Sequence, residues 1–178
     1  KKLKYSSGIT IMDIPTSDNY GQAVHPDVIY ISKGFGNEKR KYWLVCTPYP
    51  YEDSNYENPE IFSSENGFYW SVPNNFNNPL IKKNLNNFYF SDTSLLYNKK
   101  TLNVFFRSTF KKNNKYFNTL SVIKSSNAKT WSKPQKILSS KNEEYILSPT
   151  IQKKKLWFLW TIDRSYKKNS KKLYIYKR

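Results

Sequence analysis

The sequence predicts an all-β fold, a partial β-propeller made of about two and a half four-stranded antiparallel blades. Three observations support this prediction. Short strand patterns recur three times in the same order, a hairpin motif recurs between them, and the composition is rich in strand-forming aromatic residues, with 15 Tyr and 11 Phe. Segments rich in Ala and Leu, which would favour helices, are missing from the chain.

The recurring hairpin motif spans residues 64–73 and returns at residues 125–134. Ser, Asn, a small residue, Trp, Ser and Pro occupy the same places, which makes six matches in ten positions. Read from Ser63, the first copy has the pattern Ser-x-Glu-x-Gly-x-x-Trp, which resembles the Asp-box turn of sialidase-like propellers with Glu in place of Asp. Asn-Gly permits positive φ in the turn, and the Trp is expected to cover the blade edge.

The strands that flank this motif repeat in register. Second strands are nearly continuous apolar runs, as expected when neighbouring sheets cover both faces. First strands are predicted at His25–Ile31, Ser91–Tyr97 and Ser148–Ile151, second strands at Tyr42–Thr47, Leu102–Arg107 and Leu156–Asp163, third strands at Pro59–Ser63, Leu120–Lys124 and Lys172–Tyr176, and fourth strands from Trp70 and Trp131.

This repeat divides the chain into four parts. Residues 1–20 are a latch strand or the end of an upstream segment, residues 21–86 are blade 1, residues 87–144 are blade 2, and residues 145–178 are an incomplete blade 3. Propellers close with about four to eight blades. We therefore expect the remaining blades to come from the rest of a longer chain or from another chain, a homo-oligomer included. The absence of an initiator Met fits a processed or excised piece.

The charge of the chain favours a polyanionic partner. Thirty Lys and Arg against 13 Asp and Glu give a net charge of +17, which would attract nucleic acid, anionic lipid or a phosphate-bearing polysaccharide such as teichoic acid. An A/T-rich coding sequence explains the abundance of Lys, Asn and Tyr equally well. Nucleic-acid binding ranks last, because the lysines are scattered through turns rather than gathered with aromatic residues along a groove.

Several classes of protein are excluded by composition. The sequence contains no run of eighteen apolar residues, which a membrane-spanning helix would need, and its first residues lack the apolar stretch of a signal peptide. A single His and a single Cys exclude the usual zinc sites, and five Gly leave no phosphate-binding Gly-rich loop. Cys46 lies within an apolar run and is interpreted as a small buried hydrophobe. We therefore predict no metal and no cofactor, with calcium bound by axial carboxylates left open as an alternative that no spacing specifically indicates.

One end of the predicted blades gathers polar and aromatic residues. The start of strand one, the end of strand two and the start of strand three all lie at this end of an up-and-down sheet. Tyr and Trp present flat rings to sugars, while Glu, Asn and Arg bond hydroxyl groups. The candidate ligand-binding residues are His25, Asp27, Tyr49, Tyr56, Glu57, Asn58, Asp92, Arg107, Ser148, Trp160 and Asp163.

Taken together, these segments resemble a known family. Residues 25–30, 42–50, 56–59, 91–92, 106–107 and 147–151 are similar, in order and spacing, to the propeller modules of phage tail and bacterial surface proteins related to five-bladed furanosidase-type glycoside hydrolases. The resemblance implies a five-bladed ring and an extracellular location on a virion tail or a bacterial surface, with a cytoplasmic one left open.

The resemblance also implies a test of catalysis. In these hydrolases each of the first three blades opens with a carboxylate, acting as general base, pKa-tuning acid and general acid. The three positions fall on His25, Asp92 and Leu147, so two of the three are changed. Because glycoside cleavage ordinarily needs a pair of carboxyl groups, we expect binding rather than hydrolysis.

The alternatives remain open at this point. If the protein is an enzyme, His25 and Asp92 are its candidate catalytic residues, and the acid comes from an unusual place or from further blades, since Glu143 and Glu144 are interpreted as solvated surface residues of a polar loop. His25 otherwise bonds the axial carboxylates, and Asp92 either accepts from sugar hydroxyls or caps the blade turn. For Arg107, the alternative to ligand binding is an ion pair with Asp92. For the Tyr residues, the alternative to ligand binding is packing of the long loop.

Overall fold

The protein is described by a computed structural model. It describes residues 5–6, 9–10, 12–36, 38–82, 88–139, 145–153, 157–164 and 171–177, with side chains for residues 12–36, 38–82, 88–139 and 149–151. No helix in this described part is long and apolar enough to cross a membrane.

Three antiparallel sheets follow one another along the chain. Each is built from sequential strands joined as neighbours, the up-and-down order of propeller blades. The first sheet contains β3 (Ala23–Tyr30), β4 (Tyr42–Pro48) and β5 (Glu60–Ser64); the second β6 (Phe88–Asn98), β7 (Thr101–Lys112), β8 (Lys115–Ser125) and β9 (Gln135–Ser139); the third β10 (Tyr145–Lys153), β11 (Trp157–Arg164) and β12 (Lys171–Lys177). Two short strands, β1 (Tyr5–Ser6) and β2 (Ile9–Thr10), pair with each other. The all-β, partial-propeller prediction is confirmed.

The predicted fourth strands begin later than expected. In the second sheet, β9 starts at Gln135 rather than at Trp131. In the first sheet, the segment after Trp70 contributes a single bridge between Ser63 and Ser71. Neither Trp begins a fourth strand, and both side chains pack into apolar clusters. Trp70 packs with the core of the first sheet, and Trp131 packs against the core between the first two sheets.

The main core lies between the first and second sheets. Trp43 and Ile61 from the first sheet meet Val104 and Phe106 from the second, and all four side chains are fully buried. Each such burial contributes roughly 1.5–3 kcal/mol. The third sheet adds Ile151, which packs against the other face of the second sheet. The nearly continuous apolar run of β7 is thus explained by sheets stacked on both of its faces, whereas the other face of β4 packs with Trp70.

The recurring hairpin motif forms the same hydrogen bonds twice. Ser64 Oγ accepts from the backbone N–H groups of Asn66 and Gly67, at 3.3 and 2.9 Å. Ser125 Oγ accepts from the two equivalent N–H groups, at 3.2 and 2.9 Å. The small residue of the motif has positive φ in both copies, 78° at Gly67 and 61° at Ala128. The repeat in the sequence is therefore a repeat of one turn structure.

A buried carboxylate attaches the N-terminal segment to the first sheet. Glu60 is fully buried and accepts from the Ser17 backbone N–H at 3.2 and 3.1 Å and from the Ser17 hydroxyl. Burial raises the pKa of Glu60 to about 7. Opposite it on β4, burial and the nearby Glu60 charge raise the pKa of the Cys46 thiol to about 12. Cys46 is the buried hydrophobe that the sequence predicts.

Glu60→Gln is expected to remove a pH dependence of stability. The pKa of Glu60 rises from an ordinary 4.5 to about 7, so the folded protein holds this proton more tightly than the unfolded chain does. The stabilisation is complete below about pH 4.5 and is lost as the pH rises through about 7, a change of about 3 kcal/mol in the free energy of unfolding. Urea unfolding of both proteins across this pH range measures the difference. Equal pH slopes in the two proteins would contradict the assignment.

Candidate functional site

The first strand of each sheet contains a β-bulge at the same place. The pairing skips two residues between Val24 and Asp27, between Ser91 and Ser94, and between Leu147 and Thr150. These bulges align His25, Asp92 and Ser148 as equivalent positions. The third position implied by the resemblance is therefore Ser148, one residue after Leu147, and neither residue is a carboxylic acid.

The first two bulges hold their leading residue in a left-handed backbone conformation. His25 has φ of 53° and Asp92 has φ of 52°. This region costs a residue with a Cβ about 1–2 kcal/mol, and bulges commonly re-aim a side chain beside a functional site. Here the bulges turn the two side chains towards each other across the gap between the sheets.

His25, Asp92 and Arg107 form a charged cluster. His25 Nε2 lies 2.9 Å from Asp92 Oδ1, and Arg107 Nε lies 3.3 Å from Asp92 Oδ2. Arg107 also donates to Ser91 Oγ from Nε at 3.2 Å and from a terminal nitrogen at 2.8 Å. Asp92 and Arg107 are buried, whereas 37% of the His25 side chain is exposed. The predicted competitor to ligand binding, an Asp92–Arg107 ion pair, is present.

Both ring nitrogens of His25 are engaged. Nε2 faces Asp92, while Nδ1 lies 3.4 Å from both Thr47 Oγ1 and the Asp92 backbone N–H. When Nδ1 accepts from that N–H, Nε2 carries the proton and donates it to Asp92. This arrangement leaves no lone pair of His25 directed at a substrate.

Asp27 joins the first two sheets. Its Oδ2 accepts from Ser94 Oγ at 2.8 Å and from the Leu95 backbone N–H at 2.7 Å. Thr93 Oγ1 adds a parallel link by donating to the His25 carbonyl at 2.8 Å. Asp27 also borders a small cavity of about 270 Å³ between the bulges, together with His25 and Asp92. Its carboxylate thus links the first sheet to the second by hydrogen bonds.

A larger cleft of about 540 Å³ lies beside the charged cluster. This volume falls within the range of small-molecule binding sites. One wall is the loop between β4 and β5, and the other is formed by β6 and the β7–β8 hairpin. The cleft is lined by Val24, His25, Tyr49, Ser54, Glu57, Tyr89, Arg107 and Tyr116.

Backbone hydrogen bonds hold the loop wall in place. The Tyr49 N–H donates to the Gln22 carbonyl at 2.8 Å, and the Phe90 N–H donates to the Glu57 carbonyl at 3.2 Å. Two 3-10 turns, Pro50–Glu52 and Ser54–Tyr56, shape the loop between these anchors. Glu57 is buried and lines the cleft. The loop therefore presents Tyr49 and Glu57 to the cleft from a fixed backbone.

The hairpin wall contains residues that the sequence analysis missed. β7 and β8 continue about five residues past Arg107 to a two-residue turn at Asn113–Asn114, where both residues have positive φ. This type I′ geometry favours Asn, so the Asn-Asn pair was the available signal. The extension brings Tyr116 into the cleft, and the lengthened β6 brings Tyr89.

The phenol of Tyr89 is influenced by two opposite charges in this cleft, those of Arg107 and Glu57. Burial raises the pKa of its phenol, against the opposing effects of a hydrogen bond with the Thr109 side chain and of the Arg107 charge. The phenol therefore stays protonated at neutral pH and serves as a neutral hydrogen-bonding group.

The other predicted site residues lie elsewhere. Tyr56 does not line the cleft and makes an edge contact with Tyr20, with ring centroids 6.0 Å apart. Asn58 also lies outside the lining and donates to the Tyr56 carbonyl at 3.3 Å. The side chains of Ser148, Trp160 and Asp163 fall outside the described residues. By register, Trp160 occupies the strand position that Val45 and Phe105, both buried, hold in the other sheets.

Comparison with known proteins places this geometry among propellers. No protein-family model matches the sequence. A stretch of 52 residues is 38% identical to the A type blood N-acetyl-α-D-galactosamine deacetylase of Flavonifractor plautii, covering 29% of this chain and 6% of that protein. Among the described residues, no three His, Cys, Asp or Glu side chains are grouped to hold a metal ion.

Solved structures share the fold over most of the chain. An N-acetylgalactosamine deacetylase from F. plautii in complex with blood group B trisaccharide has a TM-score of 0.71 and 22% identity, covering 90% of this chain and 48% of its own. The GH93 α-L-arabinofuranosidase of Fusarium graminearum with arabinobiose has a TM-score of 0.68 and 17% identity, covering 99% and 53%. The GH32 β-fructofuranosidase of Bombyx mori has a TM-score of 0.59 and 17% identity, covering 88% and 32%.

These similarities confirm the predicted likeness in fold to furanosidase-type propellers. At identities below 25% they show the fold alone. The chain spans about half the length of the first two of these structures.

Asp92→Ala is expected to lower the free energy of unfolding by about 3 kcal/mol, because it removes the carboxylate that pairs with the buried Arg107 guanidinium at 3.3 Å. Asp92→Asn should cost less, since Asn tolerates the left-handed backbone and keeps one acceptor. Urea denaturation measures both losses.

Asp53→Asn is the matched control. Asp53 caps a 3-10 turn by accepting from the Asn55 N–H at 2.8 Å, and Asn can replace it as a cap. It should change stability by less than about 0.5 kcal/mol. A loss for Asp92→Ala as small as that of the control would show that the cluster does not stabilise the fold.

Proposed function

We propose that this protein binds carbohydrate in the cleft between the β4–β5 loop and the β7–β8 hairpin. The observation that carries the proposal is the composition of that cleft: three Tyr residues line it together with the buried Glu57 and Arg107. Tyr rings pack against the C–H faces of sugars, and carboxylate and guanidinium groups bond hydroxyls. The likeness to propellers solved with a trisaccharide and with arabinobiose supports the same ligand class.

Binding is favoured over hydrolysis by the bulge positions. The resemblance implies three carboxyl groups there, but the chain offers His25, Asp92 and Ser148. Asp92 is committed to His25 and Arg107, and both nitrogens of His25 are engaged. A glycosidase needs a proton donor and a base or nucleophile on either side of the scissile bond. This arrangement provides neither in a free state.

We further propose a host or wall glycan as the ligand, recognised by an extracellular protein of a phage tail or a bacterial surface. The net charge of +17 would favour a polyanionic wall polymer such as teichoic acid. A homo-oligomer or a longer chain would supply further blades.

A second candidate function is glycoside hydrolysis, which the fold similarity to the GH93 and GH32 enzymes favours. Release of nitrophenol from aryl furanosides and pyranosides tests it. We expect no release above the uncatalysed rate. Hydrolysis that disappears in Asp92→Asn, with folding intact, would establish the enzyme instead.

Tyr49→Ala is expected to weaken binding of the best glycan by about tenfold, because it removes one aromatic wall of the cleft. Screening on a glycan array identifies that glycan, and isothermal titration calorimetry measures both affinities. The hydrogen bond from the Tyr49 backbone N–H to the Gln22 carbonyl does not depend on the Tyr49 side chain, so the loop should keep its position.

Tyr69→Ala provides the control. Tyr69 is exposed on the Ser64–Pro73 hairpin motif and does not line the cleft. Its affinity should equal that of the unmodified protein. Equal losses in the two variants, or no glycan bound on the array, would refute the proposed cleft.

A further inference from the structure

We propose that the outer end of this cleft is a subsite for an anionic sugar unit, with Lys111 as the counter-charge and Tyr116 as the stacking surface. The inference rests on the proposed function and names the ligand class of the same site. The shared chemistry is a sugar unit bearing a carboxylate or a phosphodiester.

The cleft continues outward into a second cavity. This cavity has a volume of about 190 Å³ and shares Ser54, Tyr89 and Tyr116 with the main cleft. Its additional lining residues are Asn55, Phe88 and Lys111. Ser54 belongs to the loop wall, and Tyr89 and Tyr116 belong to the opposite wall, so the two cavities adjoin each other between the same walls. A bound chain of sugars can therefore pass from one cavity into the other.

Lys111 and Tyr116 form a pair across the hairpin. They are directly opposite in the β7–β8 register, and Lys111 Nζ lies 5.6 Å from the centre of the Tyr116 ring. A cation over an aromatic face is attracted electrostatically by the ring quadrupole. The ammonium group is thus positioned over the ring that would contact a sugar.

A stack of aromatic rings supports this part of the hairpin. Phe110 lies 6.3 Å from Phe88 and 5.3 Å from Phe117, with interplanar angles of 24° and 17°. Rigid positioning lowers the entropy lost when a ligand binds. The outer cavity is therefore a preformed surface rather than a loose hairpin tip.

Charge differs between the two ends of the cleft. The inner end contains the buried Glu57 carboxylate, which would repel an anion, near the Arg107 guanidinium that Asp92 already pairs. The outer cavity is lined by Lys111 and by no carboxylate among the described residues. A ligand should therefore place neutral hydroxyls inside and its anionic group outside.

Lys111→Gln tests the subsite, and Lys112→Gln is its matched control. The two lysines are neighbours on β7, so their side chains point to opposite faces of the hairpin. Lys112 does not line the outer cavity. Both substitutions remove one charge from the same exposed strand, so any effect of net charge appears equally in both.

The measurement uses a glycan array of neutral, uronate-bearing and phosphodiester-bearing oligosaccharides, followed by calorimetry on the best binder and on a neutral analogue. We expect the best binder to be anionic. Lys111→Gln should weaken that binder by about three- to tenfold and leave the neutral analogue unchanged, while Lys112→Gln changes neither. The array arm that binds distinguishes a uronate from a phosphodiester source.

The contradicting outcomes are separate for the two proposals. A preference for neutral glycans, or equal losses in the two Lys variants, would overturn the anionic subsite while leaving carbohydrate binding intact. No binding to any arm of the array would overturn both.

Discussion

The Asp92 carboxylate is buried at the junction of two sheets, and the site is arranged around its need for partners. An isolated buried carboxylate is strongly disfavoured, so its oxygens must be paired. Asp92 pairs with His25 of the first sheet and with Arg107 of its own, second sheet. These contacts are made by bulges that hold His25 and Asp92 at positive φ, and Arg107, which pairs with Asp92, lines the cleft.

The same pairing is the reason why we propose binding rather than hydrolysis in this cleft. Acid–base chemistry needs groups that exchange protons with a substrate, whereas these groups neutralise one another. What remains accessible is a groove with Tyr walls, an acidic inner end and a basic outer end. A groove of this kind is suited to holding a chain of sugars in one direction.

Much of this structure could be predicted from the sequence, and the limits have physical causes. The Ser–Asn–Trp turn and the apolar second strands predict the blades because both patterns recur in register along the chain. His25, Asp92 and Arg107 could be grouped because strand ends of an up-and-down sheet meet at one end. Ser148 replaces Leu147 because a bulge shifts the register by one residue, which no side-chain pattern reveals. Tyr116 was missed because the polar residues around Asn113 were not recognised as an extension of the β7 and β8 strands, and Tyr89 was missed because β6 begins at Phe88 rather than at the predicted Ser91.

The most direct test of the central claim is a crystal structure of the protein with the best glycan from the array. The account predicts an intact glycan between Tyr49 and Tyr116, with the His25–Asp92 contact unchanged from its distance of 2.9 Å in the free protein. A glycan bound over the bulges with His25 turned away from Asp92, or a cleaved product there, would contradict it.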